Sequence, residues 1–248
     1  MMDGVSDTAG LQPDIAVHCR ELTKTYGKGD AKVMALRGAD LDVRRGELFM
    51  VAGPSGCGKT TLISIIAALL EPDSGMCEVL GHDWQHLSEI ERAHFRGVAI
   101  GFVFQLFNLL PALTAVENVA IPLLINGLSR GRAEARAREA LEAVGLGPRL
   151  SLLPAQLSAG QQQRVAIARA LVHDPKVLVC DEPTSNLDHE TGRSIMEILK
   201  EWRRVLTERS SSSLTTCVST NLLTASHGWT TGRSPRSSTA GQWSVCDD

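Results

Sequence analysis

The eight residues Gly53-Pro54-Ser55-Gly56-Cys57-Gly58-Lys59-Thr60 (GPSGCGKT) decide the reading of this chain. They fit G-x-x-x-x-G-K-[ST], and their flanks suit it. ELFMVAG (47–53) reads as an apolar strand, and TTLISIIAALL (60–70) as a helix apolar all round and therefore buried. Glycines let backbone N–H groups turn inward around phosphate oxygens, and the following helix N-terminus adds positive potential. In that arrangement Lys59 reaches the β- and γ-phosphates of a nucleotide, and Thr60 offers its hydroxyl to Mg²⁺. The alternative, an incidental glycine-rich turn, leaves the matching strand and helix unexplained.

Two further stretches extend the site. KVLVCDEP (176–183) has a buried-strand pattern ending in acids. Asp181 is placed to hold Mg²⁺, directly or through water, and Glu182 to act as general base on the attacking water. An acidic pair that merely opens a polar loop is the bland reading. In LSAGQQQRVAIARAL, Ser158 sits at a helix N-cap with Gln161 three residues on, which is a capping box. Ser158, Gly160 and the helix dipole also make an anion site. A second anion site, detached from the first, suggests a nucleotide shared between subunits.

Around these motifs, apolar strand patterns alternate with helical ones. Strands are expected at 15–26, 33–43, 76–81 and 98–104, and helices at 88–96, 114–146 with a break at Asn126-Gly127, 158–173 and 189–204. This predicts an α/β fold with a mainly parallel sheet, and a helix-rich lobe over about 105–170. Of the 248 residues, 43% are apolar, which is enough for a substantial core. The net charge of −3 gives no sign of a nucleic-acid partner. Six scattered cysteines without a C-x-x-C pair read as free thiols. No signal peptide or membrane-spanning run is visible, so a cytoplasmic protein is expected.

Together these motifs resemble the ATP-binding subunits of ABC transporters, over about residues 16–204. GPSGCGKT looks like the Walker A motif, LSAGQ the family signature with Ala159 in place of its second glycine, and VLVCDE the Walker B motif. SNLD (Ser185 to Asp188) looks like the D-loop, and Gln105 the Q-loop glutamine. Tyr26, the only tyrosine, sits where the family stacks an aromatic on adenine. The resemblance implies a P-loop ABC-type ATPase, with an N-terminal antiparallel β region and a helical subdomain beside the parallel core.

It further implies that ATP is held by Tyr26, by residues 53–60 with Thr61, and, across a homodimer, by Ser158, Gly160, Gln161 and Asp188. Mg²⁺ falls to Thr60, Gln105 and Asp181, and catalysis to Glu182 with Gln105. FNLLPALTAVENVAIPLL and DEPTSNLDHETG look most like the lipoprotein-releasing and macrolide-export branch. Separate multi-span permease subunits, bound through the groove near Gln105, would then place the chain on the inner face of the cell membrane. The other readings are a non-transport ABC ATPase acting on ribosomes or DNA, or an inactive gene product. The tandem cassettes, coiled-coil insertion or basic patch of the former are absent from the sequence.

One family element is missing. After the helix ending near Arg204 the family has a buried apolar strand and then a histidine at the γ-phosphate. Here the chain reads TERSSSSLTT, and 18 of the 42 residues from Thr207 onward are Ser or Thr. Neither His189 nor His227 follows an apolar strand. The genetic code offers an account. In a reading frame that takes the third base of each codon with the first two of the next, Ser210 to Ser213 permit Ile-Ile-Val. Residues 207–216 permit R-T-V-I-I-V-T-H-D, and Trp229-Thr230 must give Asp. Residues 205–248 thus read as a frame-displaced tail without fixed structure, arising around 203–207. A natural Ser/Thr-rich terminus is the alternative. Residues 1–14 read as a flexible end, and loss of the last core strand and the histidine predicts an impaired ATPase.

Overall fold

The computed structural model describes residues 14–185, 187–209 and 216–221. It contains two four-stranded sheets. The first is antiparallel, built from β1 (Ile15–Tyr26), β2 (Val33–Arg44), β4 (Ser74–Val79) and the short β5 (His82–Asp83), in the order β2-β1-β4-β5. The second is parallel, built from β3 (Leu48–Ala52), β6 (Ile100–Val103), β7 (Val177–Cys180) and β8 (Thr216–Asn221), in the order β3-β8-β7-β6.

The α1 helix (Lys59–Ile66) lies between the sheets, because its apolar residues point both ways. Leu62, Ile63, Ile65 and Ile66 share one core with Val17, Leu22 and Leu41 of the antiparallel sheet and Val177 and Val179 of the parallel one. Each such burial is worth about 1.5–3 kcal/mol. The helix is shorter than the apolar run suggested. At Ala68 the backbone turns left-handed (φ 55°), Leu69 and Leu70 N–H both return to the Ser64 carbonyl, and Leu69 emerges into solvent. Similarly, Val98 and Ala99, expected in a strand, belong to the end of α2 (Glu89–Ala99), which the Ser88–Glu91 capping box opens.

A second cluster unites α3 (Ala115–Ile125), α4 (Arg130–Ala143) and α5 (Ala159–Leu171) through Val119, Leu123, Ala137, Leu141 and Val165. A link to the parallel sheet is residues 104–114, a segment held by a buried asparagine and a partly buried arginine. The fully buried Asn118 side chain donates to the carbonyls of Leu110, Leu113 and Thr114 (3.1, 2.9 and 3.0 Å) and accepts from Leu110 N–H at 2.8 Å. The Arg169 guanidinium donates to the carbonyls of Phe107 (2.7 Å) and Asn108 (2.6 Å).

The end of the chain corrects the sequence reading. The α6 helix (His189–Arg209) runs past Arg204, and the place expected to lack a strand is filled by β8. β8 hydrogen-bonds to β3 on one side and β7 on the other. An empty slot between them would strand both ladders of backbone N–H and C=O groups. The described strand is formed by TCVSTN. Val218 is fully buried, and so is Thr216, whose hydroxyl donates to Arg44 O (3.0 Å) and accepts from Gly46 N–H (3.2 Å). A polar residue is tolerated there because both of its bonds are made. Thr216→Val, nearly isosteric, is expected to lower stability by about 1–3 kcal/mol, read as a shift in the urea midpoint at unchanged slope. Residues 1–13 and 222–248, with the flexible start and His227 expected among them, lie outside the described residues.

Candidate functional site

The parallel strands β3, β6 and β7 deliver the predicted residues to one edge. β3 leads into Gly53–Thr60, β7 into Asp181-Glu182, and β6 through Phe104 into Gln105. In open α/β sheets ligands bind at the carboxyl ends of the strands. Gly56 and Gly58 take left-handed φ values of 83° and 88°. A Cβ on Gly58 would lie 2.2 Å from the Ala35 carbonyl oxygen, so no other residue fits there without backbone movement. Gly58 is also the N-cap of α1 and provides no side-chain cap, which leaves the first N–H groups of the helix open to an anion.

Lys59 is 6% exposed, and its ammonium donates to the carbonyls of Gly53 and Pro54, both at 2.8 Å. The Cys57 sulfur lies 3.9 Å from the same nitrogen. Thr60 Oγ1 donates to Asp181 Oδ1 at 3.2 Å, and Asp181 is itself 7% exposed. This joins the glycine loop to the acidic strand end across 121 residues of sequence. Gln105 Nε2 donates to Glu182 Oε2 at 3.2 Å. Glu182 has a left-handed backbone (φ 44°), uncommon for a side chain of its size and a form of stored strain. The Tyr26 hydroxyl lies 3.4 Å from Thr61 Oγ1, at the rim of the same loop, with the ring half-exposed.

The second anion site lies elsewhere. Ser158 Oγ accepts from Gln161 N–H at 3.3 Å, while Gln161 Oε1 accepts from Ser158 N–H at 3.0 Å. Among the described residues, no hydrogen bond joins this end of α5 to the glycine loop. Gly160 permits a close approach to α6, since a Cβ there would lie 2.6 Å from Thr191 Cγ2. Asp188 caps α6 by accepting from Thr191 N–H at 2.9 Å, a bond that holds its carboxyl below the usual aspartate range. Asn186, within SNLD, lies outside the described residues.

Two residues of consequence escaped the sequence reading. Arg169 fixes the turn after Gln105, as described above. Gln163, 1% exposed, donates from Nε2 to the Pro183 carbonyl at 2.8 Å, directly behind Glu182. The sequence did carry a signal for it. Gln163 falls on the same α5 face as buried Ile167 and Ala170, and a polar residue at a core-facing position calls for a partner.

A groove of about 380 Å³ opens between α2, α3 and α5, floored by Ile100 and Phe102 and lined by Leu69, Arg96, Ile125 and His173; Gln105 is not among its lining residues. Burial pushes the His173 imidazole below its ordinary pKa. Its Nε2 is 3.1 Å from the Ile100 carbonyl, which fixes the proton there, and Nδ1 is buried without a partner among the described residues. Protonation would add a second, unpaired N–H. With the folded pKa depressed, the unfolded state binds the proton first on acidification, so stability held above the ordinary histidine range is lost as pH falls through it. The melting temperature is expected to drop between pH 7.5 and 5.5, and His173→Phe to flatten that slope.

A glycine loop at a strand-to-helix turn on a parallel sheet, with an aspartate from a neighbouring strand bonded to its threonine, defines a P-loop nucleoside triphosphatase. The comparisons narrow this. The ABC transporter family profile matches residues 36–185. An uncharacterized ABC transporter ATP-binding protein of Methanocaldococcus jannaschii is 48% identical over 184 residues, which is 74% of this chain and 82% of that one. A lipoprotein-releasing system ATP-binding protein LolD of Legionella pneumophila is 45% identical over 188 residues, 76% of this chain and 83% of that one. Among solved structures, the dimeric post-hydrolysis state of the ATP-binding cassette MJ0796, bound to ADP and Pi, superposes with a TM-score of 0.75 at 39% identity. That likeness covers 83% of this chain and 87% of the cassette. The chain belongs to the ABC transporter family, as one of its ATP-binding, ATP-hydrolysing subunits that power transport through membrane subunits.

Proposed function

We propose that two copies of this chain close face to face over ATP and Mg²⁺ and drive separate multi-span membrane subunits in export or lipoprotein release. The observation that carries the reading is the Thr60–Asp181 hydrogen bond beside the buried Lys59 ammonium. A hydroxyl and a carboxylate are hard oxygen donors, which suit Mg²⁺ held partly by phosphate oxygens. Bound there, Mg²⁺ would neutralise developing charge on the β- and γ-phosphates. Gly53 to Gly58 and the α1 N-terminus would take the phosphates, with Pro54, Ser55 and Cys57 in the same loop, and Tyr26 the adenine beside Thr61. Glu182 would take a proton from water attacking the γ-phosphorus, with Gln105 orienting both.

Ser158, Gly160, Gln161 and Asp188 would face the nucleotide of the other copy. This assignment is supported by the detachment of their helix end from the glycine loop and by the dimeric state of the MJ0796 cassette. Among the described residues no helix is long and apolar enough to cross a membrane. The groove between α2, α3 and α5, with exposed Leu69 and Ile125 on its rim, would receive the membrane subunit and hold the chain at the inner face of the membrane. The lipoprotein-releasing assignment rests on relatives of that name.

The test is affinity capture from membranes of the source organism. A multi-span permease should copurify with the wild type and be lost with Ile125→Asp. A soluble ribosomal or DNA-bound partner in its place would overturn the reading.

A further inference from the structure

The turn after Glu182 is held from behind, and the holding group belongs to the helix that carries the second anion site. Gln163 lies on α5 five residues after its N-cap, Ser158. Its Nε2 donates to the Pro183 carbonyl at 2.8 Å, and its Oε1 is buried with no hydrogen-bond partner among the described residues. Pro183 is buried and follows Glu182, whose φ of 44° is strained for a non-glycine residue. A strained conformation persists only where its surroundings over-determine it. The backbone restraints around it include Asp181 N–H donating to Val103 O at 2.9 Å, Ser185 N–H and Oγ to Glu182 O at 3.2 and 3.0 Å, and Gln163 to Pro183 O. Only the last comes from a helix that ends in a candidate ligand site.

We propose that Gln163 is a positioning residue, which fixes the Glu182 backbone so that its carboxylate faces the glycine loop and which transmits movement of the Ser158 end of α5 to that carboxylate. One helix would then read the nucleotide of the opposite copy at its tip and set the base of its own site one and a half turns later. The unpartnered Oε1 fits such a role. It is an acceptor waiting for an N–H that comes within reach only when the turn after Glu182 rearranges, so the same side chain can hold two arrangements of the turn. The proposal rests on Glu182 acting as the base.

The test compares the full-length wild type with Gln163→Met, Glu182→Gln and the double variant. Methionine keeps the volume and loses the donor. ATP dissociation constants and single-turnover release of phosphate from Mg-ATP are measured, together with hydrogen exchange of residues 181–187 by mass spectrometry. Gln163→Met is expected to keep ATP affinity within about twofold and to slow phosphate release at least about tenfold. It should add nothing in the Glu182→Gln background, because two residues acting through one group are not additive. Exchange should rise at least about fivefold in 181–187 and stay unchanged in 159–171. A merely structural role would instead lower affinity and protection throughout, and that outcome overturns the proposal, as do unchanged exchange and rate. Where phosphate release is too slow to read, the exchange result decides alone. If Glu182→Gln leaves the rate intact while Gln163→Met still loosens 181–187, the assignment of the base fails and the tether stands.

Discussion

Restoring the reading frame near residue 205 is expected to raise ATP turnover by about 10²- to 10⁴-fold, the usual range for one positioned acid–base group. The chain as it stands keeps the phosphate loop, the Thr60–Asp181 pair and the Gln105–Glu182 pair. What it lacks is a histidine directly after the strand beside β3. β8 ends at Asn221 and the next residue in sequence is Leu222, whereas the displaced frame permits Thr-His-Asp after its apolar run. The effect should fall on turnover and leave ATP affinity within a few fold, since the loop that holds the phosphates is untouched. Sequencing the underlying nucleotides comes first. An early stop in the displaced frame ends the idea, and so does rapid Mg²⁺-dependent turnover by the present chain.

Lys59→Met should weaken ATP binding by about 10²-fold by calorimetry. Its ammonium makes two 2.8 Å bonds to loop carbonyls and is poised to exchange them for phosphate oxygens. A hydrogen bond to a charged group contributes about 1.5–3 kcal/mol, and each 1.4 kcal/mol is tenfold in affinity. The fold should survive, because the crest of the loop (54–56) is exposed. Undiminished affinity would remove Lys59 from the phosphate site.

Much of the fold, and of the set of residues gathered at the candidate site, was legible because the signals are local. Period-2 and period-3.6 patterns marked the main strands and helices, and GPSGCGKT and VLVCDE each carry their chemistry within a few residues. Element ends were less legible. Nothing in ALL (68–70) announces that the helix stops at Ile66. That depends on the left-handed turn at Ala68 and on Leu69 turning toward solvent. Gln163 was hidden for another reason. The helical face marks it as a buried position, but its partner, Pro183, lies 20 residues on, and nothing local names that partner.

The error at β8 is the instructive one. A strand central to a parallel sheet was expected to need an apolar run, but TCVSTN lies there. Parallel ladders are bonded backbone to backbone, so they accept many side chains, provided that the inward positions are small or satisfied. Thr216 and Val218 meet that condition.

That tolerance matters beyond this molecule's own turnover. A sheet that asks of its inner strand only small or satisfied inward residues can close around a sequence never selected for it. The product would then keep its surfaces after losing its chemistry. If copies pair over ATP as proposed, such a chain in a cell holding intact copies would pair with them and occupy their membrane partners, acting as a competitor rather than as a simple absence. Its dose, measured against that of the intact copies, would set the severity of the defect.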